Sequence, residues 1–297
     1  MSLEYPENMQ EFMDRFLTEE ACREYLFTVR WSGKFKCPDC AGTKLWKLSR
    51  GIRKCAKCHR DISVTAGTVF EGTHLPLRLW FQAIWCVVSQ KNGVSALGLS
   101  HALGIKREKT GWELLQKIRT AMVRPGRNRL SGTVEVDEVF IGGVKPGKRG
   151  RGASGKVLVL VAVEDKDSAG IGRIRMTIIP RASAPVLRKA IELLVEPGST
   201  VRTDEWPSYP PITEHGYKHI AIKKQPSEPG DDPTPLVHRI ASLLKRWLLG
   251  THHGRVNEER LMSYLNEFVF RFNRRKSNSR GKLFYRLMQG MVHANQE

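Results

Sequence analysis

The run Val134-Glu135-Val136-Asp137-Glu138-Val139-Phe140-Ile141-Gly142-Gly143 reads as a strand that carries acid where a core strand carries none. Side chains alternate across a strand, so Asp137 shares a face with Glu135, opposite Val134 and Val136. A carboxylate in mid-sheet is costly unless it is paired or binds a metal. Outward from this run the pattern stays extended. Residues 133–144 alternate, 156–164 form a continuous aliphatic stretch suited to a buried strand, and 171–179 alternate again.

A helix over about 185–195 follows, then a strand at 199–203, a short one at 219–222, and two long helical patterns at about 236–249 and 257–271. That order is an α/β one, consistent with a ribonuclease-H-like mixed sheet. Residues 225–235, Gln-Pro-Ser-Glu-Pro-Gly-Asp-Asp-Pro-Thr-Pro, read as a proline-rich loop. Sixty-seven positions after Asp137, Thr203-Asp204-Glu205-Trp206 puts a second aspartate at the end of an expected strand. Paired aspartates on neighbouring strands suit two-metal phosphoryl transfer, because Mg²⁺ prefers carboxylate oxygens and keeps positions open for phosphate. The competing reading is a pair of ordinary turn or salt-bridge residues.

Upstream, Cys37-Pro-Asp-Cys40 and Cys55-Ala-Lys-Cys58 form a C-x2-C-x14-C-x2-C pattern. Two tight turns each present a pair of thiolates, which together close a tetrahedral zinc site of the zinc-ribbon kind. With all four positions taken by protein ligands, that zinc is structural. Lys36, Lys54 and Lys57 beside the ligands favour thiolate. The alternative, redox pairs or a disulfide, lacks a thioredoxin-like context. Cys22 and Cys86 sit among apolar neighbours and read as buried fillers.

Leu77, Trp80, Phe81, Ile84, Trp85 and Val88 then repeat at helical spacing, and Asn92-Gly93 breaks the helix. Ser95 is placed to N-cap a short helix ending at Gly104. A third helix over about 106–123 turns Trp112, Leu115, Ile118 and Met122 inward and carries Arg107, Lys109, Thr110, Lys117 and Arg119 on its other face. Two helices, a glycine-bearing turn and a basic helix suit a helix-turn-helix, whose last helix enters the major groove. A plain three-helix bundle is the bland alternative. Residues 125–129, Pro-Gly-Arg-Asn-Arg, read as a linker.

The 297 residues suggest two or three domains. Their hydrophobic content of 40 % excludes wholesale disorder. Forty-nine Lys+Arg against 30 Asp+Glu leave a net charge of +19, which favours a polyanionic partner over a small neutral substrate alone. No apolar run approaches the ~20 residues that span a bilayer. The acidic first twenty residues carry no secretory signal region, so a soluble intracellular protein is expected.

Zinc ribbon, helix-turn-helix, VEVDEVFIGG, RTDEWPSY, HRIASLLKRWLLGTHHG and YLNEFVFRFNRR together resemble an insertion-sequence transposase of the ISXO-like group of the DDE superfamily, over nearly the whole chain. The resemblance implies a ribonuclease-H-like catalytic domain and two divalent cations, Mg²⁺ or Mn²⁺. It also implies cutting and joining of double-stranded DNA at element ends and target, without a covalent protein intermediate. Such proteins work as homodimers or higher multimers, in the bacterial cytoplasm at the nucleoid. The domains expected are 1–30 helical, 31–74 zinc ribbon, 75–125 helix-turn-helix, 131–275 catalytic and 276–297 a basic tail. Asp137 and Asp204 match the first two acidic positions and are the expected magnesium ligands.

The third position departs from the superfamily's acid, since 236–249 contains none. In this group it varies among Glu, Asn and His, with a lysine seven residues later. His238, 34 residues after Asp204, and Lys245 fit, as the third metal-proximal residue and a DNA phosphate contact. A neutral imidazole is a poorer Mg²⁺ ligand than a carboxylate. His238 also reads as a helix-start histidine that bonds a backbone or phosphate oxygen. Glu267 is the rival acid, and a catalytically inactive DNA-binding regulator is the rival function.

Gly142–Lys148 and Gly150–Lys156 fit G-x4-G-K, but Arg149 and Val157 stand where a nucleotide loop needs Ser or Thr, and a strand follows instead of a helix. The basic loop Lys145, Lys148, Arg149, Arg151 and Lys156 is better used on DNA phosphates. A second cluster, Arg271, Arg274, Arg275, Lys276, Arg280 and Lys282, reads the same way, as do Arg107 and Lys109. His252-His253 fit a substrate contact or a turn equally well.

Overall fold

Side-chain caps start the first helices. Asn8 accepts the Glu11 N–H at 3.0 Å ahead of α1 (Met9–Arg15), and Thr18 accepts the Ala21 N–H at 3.1 Å ahead of α2 (Glu19–Trp31). The computed structural model describes residues 5–32, 34–48, 53–123, 129–142, 156–205, 207–223, 232–252 and 258–293. Its contacts separate two units, Met1–Arg124 with Ser277–Glu297, and Pro125–Lys276.

In the first unit, short strands β1 (Leu45–Lys47), β2 (Arg53–Cys55) and β3 (Asp61–Ile62) pair antiparallel in that order. Phe35, Cys37, Cys55 and Ile62 form a small core with Phe27, Trp31 and Leu45 of the flanking segments. A core this small needs a metal to hold it. Then come α3 (Leu77–Ser89), α4 (Ala96–Leu103) and α5 (Glu108–Thr120). As expected, Ser95 caps α4 by accepting the Gly98 N–H at 3.0 Å, and Gly104 ends it at φ +66°. Arg107, Lys109 and Lys117 are exposed along α5, but Arg119 is buried. Its place on the outer face is corrected by the helical period: it follows Leu115 by one turn and adjoins Ile118 on the inward side.

The second unit is built on one sheet. Strands β4 (Thr133–Gly142), β5 (Lys156–Asp165), β6 (Ile171–Ile178), β7 (Thr200–Asp204) and β8 (Lys218–Ile222) lie in the order β6-β5-β4-β7-β8. β4 runs antiparallel to β5 and parallel to β7, and β7 is parallel to β8. An antiparallel meander extended by crossover strands beside the first is the ribonuclease-H-like mixed sheet that the element order implies. Helix α6 (Ala184–Leu194) covers one face, where Val134, Val136, Leu160 and Ala162 meet Leu187, Ile191 and Leu194. Helices α7 (Pro235–His252) and α8 (Glu258–Asn273) cover the other, where Val139, Ile141, Val159 and Val161 meet Val237, Ile240, Leu244, Leu261 and Leu265. Glu135 and Asp137 belong to that second face, as the alternation requires.

Residues 280–293 differ from the expected tail. They form α9 (Arg280–His293), with Leu283, Phe284, Leu287, Met288, Met291 and Val292 buried, and belong to the first unit through contacts with α2, α3 and α5. The charge of Arg280 and Lys282 masked an apolar helix face. Among the described residues no helix is long and apolar enough to cross a membrane.

Candidate active site and metal centre

The central strand β4 and its parallel neighbour β7 set the site. Glu135 pairs with Arg202, so two residues further on Asp137 and Asp204 come level at the carboxyl edge of the parallel strands. This is where α/β sheets place their chemistry. Burial raises the Asp137 carboxyl above its usual range; the Thr234 hydroxyl lowers it, and the nearby Asp204 charge raises it again. Glu138 is pushed up to about 7, first by burial, with the Tyr209 hydroxyl lowering it and the charges of Asp137 and Asp204 raising it. Asp137, raised by burial and by the neighbouring Asp204 charge, belongs to a donor set short of cationic charge. A divalent cation fits that deficit.

Helix α7 brings the rest. Its first turn is anchored to β4, because buried Glu135 accepts the Val237 N–H at 2.7 Å. Burial raises the Glu135 carboxyl, and that N–H and Arg202 lower it. Arg202 reaches Glu135 at 3.4 Å and Asp165 at 2.7 Å. Thr234, fully buried, donates its hydroxyl to Asp137 Oδ2 at 2.7 Å. His238 stands half exposed with Nε2 3.4 Å from the same Oδ2 and Nδ1 2.7 Å from Asp232 Oδ2. Asp137, Asp204 and His238 are therefore brought to one place, and Asp232 with them. The proline-rich loop gave no sign of Asp232; its only sequence signal is an acid six residues before the histidine. Lys245, seven residues after His238, is exposed on α7.

Glu267 is elsewhere in its bonding: buried on α8, it accepts Arg271 Nε at 2.9 Å one helical turn on. Arg274 donates to the Phe270 carbonyl at 3.2 Å with its guanidinium 4.0 Å from that ring. Arg275 donates to the carbonyls of Phe272, Gly172 and Ile171. Both arginines thus hold the end of α8, and Arg275 ties it to β6. Asn273 completes that seam, bonding Ile174 N and O at 2.8 and 2.9 Å. Lys145, Lys148, Arg149, Arg151 and His253 lie outside the described residues, as do 125–128, most of 225–235 and the G-x4-G-K matches.

In the first unit, the Sγ atoms of Cys37, Cys40, Cys55 and Cys58 all lie within 4.8 Å of one another. Cys37–Cys58 and Cys40–Cys55 are 3.6 and 3.5 Å apart, near the ~3.8 Å edge of a tetrahedron with Zn–S of about 2.3 Å. The Cys58 and Lys57 N–H groups pull the Cys55 thiol down, toward the ligating thiolate. Ala41 and His59, each following a Cys-x2-Cys pair, take positive φ of 55° and 60°, so both turns have the same form. The four cysteines fit zinc.

Residues 129–273 match the ISXO2-like transposase domain, and residues 17–61 match the transposase zinc-ribbon domain. The chain is 26 % identical over 278 residues to an uncharacterized protein in transposable element ISH50 of Halobacterium salinarum, covering 86 % of this chain and 91 % of that one. Among solved structures it is similar, at 16 % identity and TM-score 0.31, to the catalytic core domain of BIV integrase, over 46 % of this chain and 81 % of that chain. A simian T-cell lymphotropic virus intasome in complex with PP2A regulatory subunit B56 gamma also matches at 16 % and 0.31, over 58 % and 63 %.

Proposed function

Since this chain belongs to the ISXO2-like transposases and carries a transposase zinc ribbon, we propose that it binds the terminal inverted repeats of its own mobile element and cuts and joins DNA there. One observation carries the reading. Two carboxylates on the adjacent parallel strands β4 and β7 and an imidazole nitrogen from α7 converge beside the middle of the sheet, in an environment short of positive charge.

Asp137, Asp204 and His238 would hold the divalent cations. When bound, these ions supply activation of a water or 3′-hydroxyl and stabilisation of the leaving oxygen. The protein's own residues do the rest. Thr234 fixes the orientation of Asp137 by donating to Oδ2. Glu135 holds the first turn of α7, and so His238, against β4. Lys245 extends from α7 to a phosphate near the scissile bond. In the first unit, exposed Arg107 and Lys109 at the start of α5 enter the major groove, while the zinc ribbon adds phosphate contacts.

Labelled element ends provide the test. Wild type is expected to nick and join them only with Mg²⁺ or Mn²⁺, and Asp137→Asn or Asp204→Asn to abolish both steps while DNA is still bound. Equal cleavage by the two variants refutes the mechanism. DNA binding with no cleavage by wild type, under any divalent metal, favours the inactive regulator, for which histidine at the third position is the supporting observation.

A further inference from the structure

Six residues before His238, at the entrance to α7, Asp232 makes two bonds at once. Its Oδ1 accepts the Thr234 N–H at 3.1 Å, and its Oδ2 lies 2.7 Å from His238 Nδ1. An ionised carboxylate only accepts hydrogen bonds, so the proton of this contact belongs to Nδ1. The lone pair of the neutral ring is then on Nε2, which faces Asp137 Oδ2 at 3.4 Å. That oxygen already accepts the Thr234 hydroxyl at 2.7 Å. Two lone-pair atoms held face to face at this distance are stable only with a cation or a proton between them.

We propose that Asp232 is the positioning residue that makes His238 a metal ligand, by holding the Nδ1 proton and aiming Nε2 at the space shared with Asp137. The inference rests on reading Asp137, Asp204 and His238 as the metal-holding set. It answers the weakness of a histidine at the third position. An imidazole alone brings no charge, but a carboxylate bound to its far nitrogen raises its basicity and fixes its tautomer. Asp137, Asp204 and Asp232 together supply three negative charges, the number a site with three carboxylate ligands would have. The third is delivered through the ring. Thr234 links both ends, donating its N–H to Asp232 and its hydroxyl to Asp137.

The test uses the full-length, zinc-loaded protein without DNA, titrated with Mn²⁺ and followed by the electron paramagnetic resonance of free Mn²⁺. Asp232→Asn is the chosen variant because its amide presents N–H to Nδ1 and favours the opposite tautomer. Asp232→Asn and His238→Ala are each expected to weaken Mn²⁺ binding about 10–100-fold. The double variant is expected to bind no more weakly than His238→Ala alone. In Mg²⁺-saturated protein labelled with ¹⁵N-histidine, the His238 ring is expected to carry its proton on Nδ1 in wild type, and that Nδ1 proton is expected to be lost in Asp232→Asn. Wild-type affinity in Asp232→Asn, with binding lost in Asp137→Asn and His238→Ala, overturns the inference and leaves the site standing. Undiminished binding in Asp137→Asn overturns the site reading itself. A further loss when Asp232→Asn is added to His238→Ala makes Asp232 act independently of the histidine, and so also overturns the inference.

Discussion

A methyl group at Gly111 has nowhere to go. On α5 a Cβ there would overlap Ser100 Oγ of α4 and come within 3.2 Å of the Ala96 carbonyl. The bare glycine is what lets the two helices approach. Gly111→Ala is therefore expected to cost about 1–3 kcal/mol by overpacking, read as a lower urea midpoint. Adding Ser100→Ala should recover most of it, since the hydroxyl removed is the atom in the way; no recovery would mean that the carbonyl contact dominates. Residues differ in how far the sequence exposes them. Asp137 was legible because an acid in an apolar strand violates the burial pattern. Asp232 was not, because loops are acidic for many reasons and nothing local marks this one as turned toward the histidine. His238 is found through the family resemblance, by its spacing from Asp204 and the lysine seven residues on; its approach to Asp137 needs the return of α7 to β4, which is tertiary.

Elements were more legible than residues, because their periods are local. The strands around Asp137 and the helices at 77, 96, 184 and 258 appear within a few residues of their expected bounds. The zinc ribbon depends instead on its ligands. Its three strands supply two or three residues each, so removing zinc with a chelator is expected to abolish amide protection in β1–β3 and expose four thiols to a disulfide reagent. Cys22 provides an internal control. Burial pushes its thiol up to about 12, so it should stay unreactive until α2 itself unfolds. Four fast thiols without chelator would contradict a zinc-bound ribbon.

The β5–β6 pair makes a pH prediction. Burial would raise the Glu164 carboxyl, but the Arg173 side chain, its N–H and the Ser131 N–H outweigh that and hold it below 4.5. A depressed carboxyl contributes stability that is complete above the unfolded value of about 4.5 and is lost as pH falls through the lower folded value. Because Arg173 is part-exposed, Glu164→Gln should cost about 1–2 kcal/mol near neutrality and show a flatter acid limb in urea midpoints. A parallel acid limb would place the stabilisation elsewhere.

At the scale of the whole molecule the surplus charge proved a poor guide to position. A net +19 marks a chain that meets polyanions, but it does not mark which basic segments are free to do so. Arg274 and Arg275 bond carbonyls at the end of α8, and Arg280 and Lys282 start a packed helix. Helix α9 matters because of where its apolar face goes. Phe284 is fully buried, with ring centroids of Phe12, Phe16, Phe81, Tyr25 and Trp85 between 5.5 and 6.0 Å away. The first unit is therefore closed by residues from the far end of the chain, a long-range contact no local period reveals. Phe284→Ala is expected to cost about 3–5 kcal/mol, the range for a buried aromatic truncated in a packed core. Chain shortened to residues 1–276 goes further. A solvated basic tail could be removed at the cost of only a shallower salt dependence of DNA binding. Loss of α9 instead uncovers the aromatic cluster, so limited proteolysis should digest 1–124 and leave a resistant fragment near 125–276, with DNA-end binding lost at low salt as well. A shortened chain that keeps a protease-resistant first unit would mean that α9 merely rests on it.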